Sequence, residues 1–150
     1  MNYSAPDLAA YPPRSPRAQL GGYAILPRML DKCRATLAGK KGEYHYACPT
    51  DQRFFQFTGI DPETLKAEIA KGLSDTEALA WITANAPNQH MGWEIALWTA
   101  SVNQAVPSDN EWRAFFNELV TAAKIAHRAD IQTWFEYIEA DDYVSFGGRP

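Results

Sequence analysis

Residues 26–39 read LPRMLDKCRATLAG, and the spacing inside this stretch decides the fold class. Leu26, Met29, Leu30, Cys33 and Leu37 recur every three or four positions, the period of one helix face. Pro27 suits the first turn, where its missing N–H leaves no bond unmade, and Gly39 can follow the last. The same grammar repeats downstream. A short helix with Thr50 or Asp51 as its cap carries Phe54, Phe55 and Phe57 and stops at Gly59. Asp61 caps the next, with Pro62 behind it, Leu65 and Ile69 as its apolar pair and Gly72 as terminator. Ser74 and Glu77 form a capping-box pattern ahead of Ala78, Leu79, Ile82 and Ala86.

After Pro87 the pattern broadens. Met91, Ile95, Trp98 and Val102 make one stripe and Trp93 with Leu97 another, which predicts a central, buried helix. Ser108 with Glu111 opens a helix striped by Trp112, Phe115, Phe116, Leu119, Ala123 and Ala126, whose aromatic rings are expected in the core. Asp130 is the expected cap of the last helix, with Ile131, Trp134, Phe135 and Ile138 on its face and an extended Tyr143–Phe146 beyond it. Residues 43–47 alternate and read as a short extended piece. Seven helical segments joined by short turns predict an all-α, compact single-domain bundle over residues 25–150, with minimal strand content. Residues 1–24 hold Pro6, Pro12, Pro13 and Pro16 before Gly21-Gly22, and read as an extended arm.

Composition narrows the function. Of 150 residues, 46% are hydrophobic and 13% aromatic, enough to build a core without disulfides. Net charge is −4, and no basic run exceeds Lys40-Lys41, so the face that nucleic-acid binding needs is missing. The opening MNYSAPDLAAYPP has neither a basic n-region nor a continuous apolar h-region, and no apolar run approaches a membrane span. Cys33 and Cys48 fit free thiols in a reducing compartment. The expectation is a soluble, cytoplasmic protein that binds neither nucleic acid nor membrane.

Three blocks carry a family likeness: PPRSPRAQLGGYAILPRMLDKCRA at 12–35, GEYHYACPTDQRFFQFTGID at 42–61 and DIQTWFEYIEADDYVSFGG at 130–148. With them the chain resembles the bacterial domain-of-unknown-function family numbered 5069. The resemblance implies a bacterial origin and a shared fold; it supplies no catalytic residues.

Chemistry concentrates in the middle block. Tyr44, His45, Tyr46, Cys48, Asp51 and Arg53 lie within ten positions, in a segment that periodicity places on a loop. If 43–47 is extended, Glu43 and His45 share a face, and the carboxylate can orient the imidazole for acid–base work; otherwise His45 bonds a backbone carbonyl and fixes the turn. Cys48 stands at His-x-x-Cys spacing, half of a zinc pattern whose other half is absent, so no metal is expected. As a nucleophile it would draw on the following helix N-terminus and Arg53; otherwise it is a half-buried structural thiol. Asp51 reads as a cap, and Arg53 as an anion clamp or the partner of Asp31, Asp141 or Asp142. Arg14, Arg17 and Arg28 suggest an arm that crosses the domain to acidic groups near the C-terminal segment or the 43–53 loop. The glycine pairs are not phosphate-binding signatures, and no cofactor is expected.

Two readings follow, behind which a metal-dependent hydrolase stands third. One is a small enzyme or binder of a polar, anionic small molecule, with His45, Cys48 and Tyr46 as catalytic candidates. Tyr44, Asp51, Arg53, Arg28, Arg17 and Tyr143 would be its ligand contacts. The other is a non-catalytic homo-oligomeric or protein-interaction module, a homodimer among its forms, resting on the aromatic excess and the proline-rich arm.

Overall fold

The computed structural model describes residues 5–149, and among them are seven α-helices and no strand. In chain order these are α1 (Leu26–Leu37), α2 (Pro49–Thr58), α3 (Pro62–Ile69), α4 (Asp75–Asn85), α5 (Gly92–Asn103), α6 (Asn110–Ala122) and α7 (Trp134–Ser145). The helical, all-α reading therefore holds. Residues 1–4 of the expected arm, and Pro150, lie outside the described residues. No helix among the described residues is long and apolar enough to cross a membrane.

The chain forms two compact units, Met1–Thr99 and Ala100–Pro150. In the first, α1 is the central helix: Leu26, Met29, Leu30 and Cys33 are buried, and so are Arg28 and Lys32. Phe54 of α2 packs edge-on against Tyr23 at 5.2 Å and Phe55 at 5.7 Å. A flat stack of His90, Phe57 and Trp98 extends that cluster, with centroids 3.7 and 5.0 Å apart. Offset and edge-on pairs of this kind add about 0.5–1.5 kcal/mol each beyond area burial. In the second unit Phe116, Ile125 and Ile131 form the core. Trp134 stands edge-on to Phe116 at 5.1 Å and donates its backbone N–H to Ala105 O at 3.0 Å.

Several helix ends follow the capping chemistry of the sequence. Asp61 accepts from Thr64 N–H, the Ser74–Glu77 capping box is closed in both directions, and Gly59 takes the left-handed conformation at φ 75°. Other boundaries need correction. Cys48, not Thr50 or Asp51, is the N-cap of α2, because Pro49 takes the first helical position. Asp109 rather than Ser108 caps α6, accepting from Trp112 N–H at 2.8 Å. Thr133 rather than Asp130 caps α7, since Asp130 is engaged by the Arg128 guanidinium. Residues 143–145, expected extended, are the last turn of α7. Residues 43–47 pair with no strand; turns at 42–43 and 46–47 bracket them, with Gly42 at φ 55° and Ala47 at φ 59°.

The largest correction concerns α5. Met91, Trp93 and Leu97 are 65%, 64% and 62% exposed, so this is not a buried helix. Trp112 and Phe115 of α6 are likewise more exposed than core residues, although their rings touch at 5.8 Å.

Residues 5–24 run along α1 in turns and bends. Leu8 is buried and donates its N–H to Lys40 O. Arg14 meets Asp31 of α1 with Nε at 3.0 Å and Nη2 at 2.8 Å, and Asp75 of α4 with Nη1 at 2.7 Å. Arg34 holds the other oxygen of Asp75 at 2.7 Å. For Arg14, then, the acidic partners are on α1 and α4 rather than on the 43–53 segment.

Candidate functional site

The segment between α1 and α2 is shaped by Gly39 and Gly42 and by one strained alanine. Ala47 sits in the left-handed region, which costs a non-glycine residue of order 1 kcal/mol. Both of its backbone groups are tied down. Its carbonyl accepts from Gln52 Nε2 at 3.0 Å, and its N–H supports the Asp51 carboxylate. The reversal leaves Cys48 at the head of α2 facing α1.

There it meets Lys32. Lys32 Nζ donates to Cys48 Sγ at 3.2 Å and to Asp51 Oδ1 at 2.9 Å, and lies 2.8 Å from Oδ2. The hydrogen-bond geometry is met at Oδ1, so Oδ2 has the charge of Lys32 beside it but no donated hydrogen. The Lys32 side chain is 4% exposed and that of Asp51 is fully buried. Burial pushes the Asp51 carboxyl above its ordinary range, against the pull of Lys32, the Ala47 N–H and, farther off, Arg28. Arg28 lies one turn before Lys32, donates to Arg14 O at 3.2 Å and covers the Tyr44 ring at 5.3 Å. Cys48 is half-buried, whereas Cys33, sealed in the α1 core, has its thiol pushed up to about 12 by burial.

The other candidates separate into distinct environments. His45 is exposed, with Nδ1 3.4 Å from Lys41 Nζ. The Tyr46 hydroxyl donates to Pro62 O at 2.8 Å while its ring packs edge-on to Phe55, and burial drives its phenol well above the usual range. Arg53 is half-buried on α2. Arg17 is exposed on the arm, its N–H bonded to Ser15 Oγ. Tyr143 is 59% exposed on α7, in the second unit. Cys48 and Asp51 are therefore gathered about one ammonium, Tyr44 lies under Arg28, and Tyr46 faces the start of α3.

Lys32 is the member that sequence reasoning missed. Its signal was present: Arg28 and Lys32 are four apart and flanked by Met29, Leu30 and Cys33, which places both bases on a helix buried over most of its circumference. Chemically the cluster offers one partly accessible sulfur, an ammonium in contact with it and a buried carboxylate bonded to that ammonium.

No curated protein matches the chain. A family model described as a domain of unknown function, DUF5069, matches residues 10–144, and the chain belongs to that family.

Proposed function

We propose that the protein takes a polar, anionic small molecule at the 43–53 segment, with the Cys48 thiol as the reacting group. The observation that carries this reading is the 3.2 Å contact from Lys32 Nζ to Cys48 Sγ. Reactive cysteines sit in partly exposed, electropositive surroundings, and half-buried Cys48 has the Lys32 ammonium against its sulfur. The left-handed Ala47 is a second support, since strain of this kind collects where a side chain must be aimed. In this reading His45 faces solvent, while Tyr46 and Asp51 hold the scaffold. The two free thiols favour a reducing, cytoplasmic setting.

The test is alkylation of Cys48 by iodoacetate and by iodoacetamide, read by peptide mass. A site built for anions gives an iodoacetate-to-iodoacetamide rate ratio several-fold above that of glutathione, and the ratio falls in Arg53→Gln and Lys41→Gln. A ratio equal to that of glutathione overturns the reading.

A second reading is a homodimer formed through α5. Glu94 is the one charged residue of that helix, and its carboxylate accepts Met91 N–H at 2.6 Å. The face of Met91, Trp93 and Leu97 thus offers nothing to a charged partner, whereas a second copy brings the same neutral, apolar surface. Three such side chains expose at most about 500 Å², short of the roughly 800 Å² per partner of a stable interface. Association should therefore be weak and concentration-dependent. Sedimentation velocity of the wild type against Trp93→Glu decides it: a monomer at every concentration removes this reading.

A further inference from the structure

The contact between Lys32 and Cys48 has a chemical consequence that does not depend on any ligand. We propose that Cys48 and Lys32 form an oxidation-driven covalent link, a sulfenamide, when the protein meets a hydroperoxide. The sulfur and nitrogen stand 3.2 Å apart, within the roughly 3–3.5 Å of a near-attack arrangement. Lys32 is nearly immobile, since it is buried, bonded to Asp51 Oδ1 and held 2.8 Å from Oδ2. Cys48 is partly open, as an oxidant requires.

The chemistry balances in two steps. The Cys48 sulfur attacks one peroxide oxygen; the S–O bond forms, the O–O bond breaks, and the departing hydroxide takes the thiol proton to leave as water. This gives a sulfenic acid, the first rung of thiol oxidation, and a nitrogen nucleophile can capture it. Lys32 first passes a proton to Asp51, whose carboxyl is disposed to accept one by burial. The free amine lone pair then attacks Cys48 sulfur. The N–S bond forms, the S–O bond breaks, and the hydroxide leaves as water with the proton that Asp51 returns. The nitrogen, bonded to sulfur with two hydrogens left, gives one to the Asp51 carboxylate beside it and keeps the other. In sum, thiol, amine and one hydroperoxide give the sulfenamide and two waters when the hydroperoxide is hydrogen peroxide. The sulfur is oxidised by two electrons and the peroxide is reduced.

The link would join α1 to the head of α2, protect the sulfur from further oxidation and release it again to a thiol. It concerns the same sulfur as the proposed function but not its ligand. The alkylation ratio can be ordinary while the link forms, and the reverse, so the two ideas fail separately.

The experiment treats the reduced full chain with about one equivalent of hydrogen peroxide, then compares intact mass and tryptic peptides before and after a thiol reductant. The expected product has lost two hydrogens, about 2 Da. Trypsin spares Lys32, and peptide 29–34 is recovered joined to 42–53, with the join broken by reductant. Cys33 lies in the same peptide, so the cut after Lys32 is the deciding readout. A linked fragment that begins at Cys33 is a Cys33–Cys48 disulfide and overturns the proposal. Recovery of unlinked Cys48 carrying added oxygens overturns it as well. A Cys33→Ala chain should still link. Lys32→Arg, which keeps the cation but removes the primary amine, should give oxygen addition on Cys48 instead.

Discussion

Helices α1 and α5 contradict their own compositions. Arg28, Asp31, Lys32 and Arg34 make α1 one-third charged, yet it is the buried helix of the first unit. Helix α5 has one charged residue, yet Trp93 and Leu97 stand about two-thirds exposed. Each charge on α1 for which a partner is described is met by a neighbour at hydrogen-bond distance: Lys32 by Asp51, Asp31 by Arg14, Arg34 by Asp75 and Arg28 by Arg14 O. Burial thus follows from whether polar groups are satisfied, not from side-chain hydropathy alone. The outward face of α5 shows the converse, since a protein surface tolerates exposed apolar side chains, here Trp93 and Leu97.

The pair at the centre of α1 should respond most. Lys32→Met leaves Asp51 fully buried beside no cation, and breaking such a pair costs about 3–5 kcal/mol. Urea unfolding of the wild type and the variant at neutral pH measures this. The double variant Lys32→Met/Asp51→Leu should recover most of the loss, because it removes the stranded charge and keeps the volume. The sign with pH follows from the raised Asp51 carboxyl. A raised carboxyl contributes stability that is full below its unfolded value of 3.8 and is lost as pH rises through its folded value. The deficit of the single variant should therefore shrink in acid. A single variant within about 1 kcal/mol of wild type would mean that Asp51 is solvated or paired elsewhere, and the contrast between α1 and α5 would lose its basis.

That contrast also marks what was legible. The helices themselves were, because the 3.6 period and the caps Asp61 and Ser74 are local signals. Cys48 and Asp51 were picked out by residue type, but their common partner was not: Lys32 is sixteen positions before Cys48, and only packing of α1 on α2 brings them together. The alternation of 43–47 misled for a physical reason, since left-handed Ala47 reverses the chain where period two would continue it. His45 consequently points to solvent beside Lys41. In α5, periodicity reports which residues share a face but not whether a neighbour covers it.

A smaller effect is expected at the charged network on the other side of α1. Burial pushes Asp75 up, but hydrogen bonds from Arg14 and Arg34 outweigh it and hold the carboxyl below its usual range. A depressed carboxyl contributes stability that is present above its unfolded value of 3.8 and is lost as pH falls through the folded value. Acid therefore acts in opposite senses at the two ends of this comparison, weakening the Asp75 network while relieving Asp51. Asp75→Asn should cost about 1 kcal/mol at neutral pH, since the network is partly exposed and screened by salt. It should also flatten the acid limb of the stability curve below about pH 4. A variant with an unchanged acid limb would move the titrating group elsewhere.

The smallest effect belongs to α5. Trp93 is 64% exposed, and the ring pairs of the first unit's core run instead through Tyr23, Phe54, Phe57, His90 and Trp98. Trp93→Glu removes no packed side chain and adds a carboxylate in the first turn, where the helix dipole favours negative charge. The monomer should stay within about 0.5 kcal/mol of wild type, measured by urea unfolding at a concentration where sedimentation shows no association. Substitution of Trp98, stacked on Phe57 at 5.0 Å, is the internal contrast: Trp98→Ala should cost about 3–5 kcal/mol. If Trp93→Glu destabilised the isolated chain as much as Trp98→Ala, both faces of α5 would be packed, and its apolar surface would belong to the fold rather than to a partner.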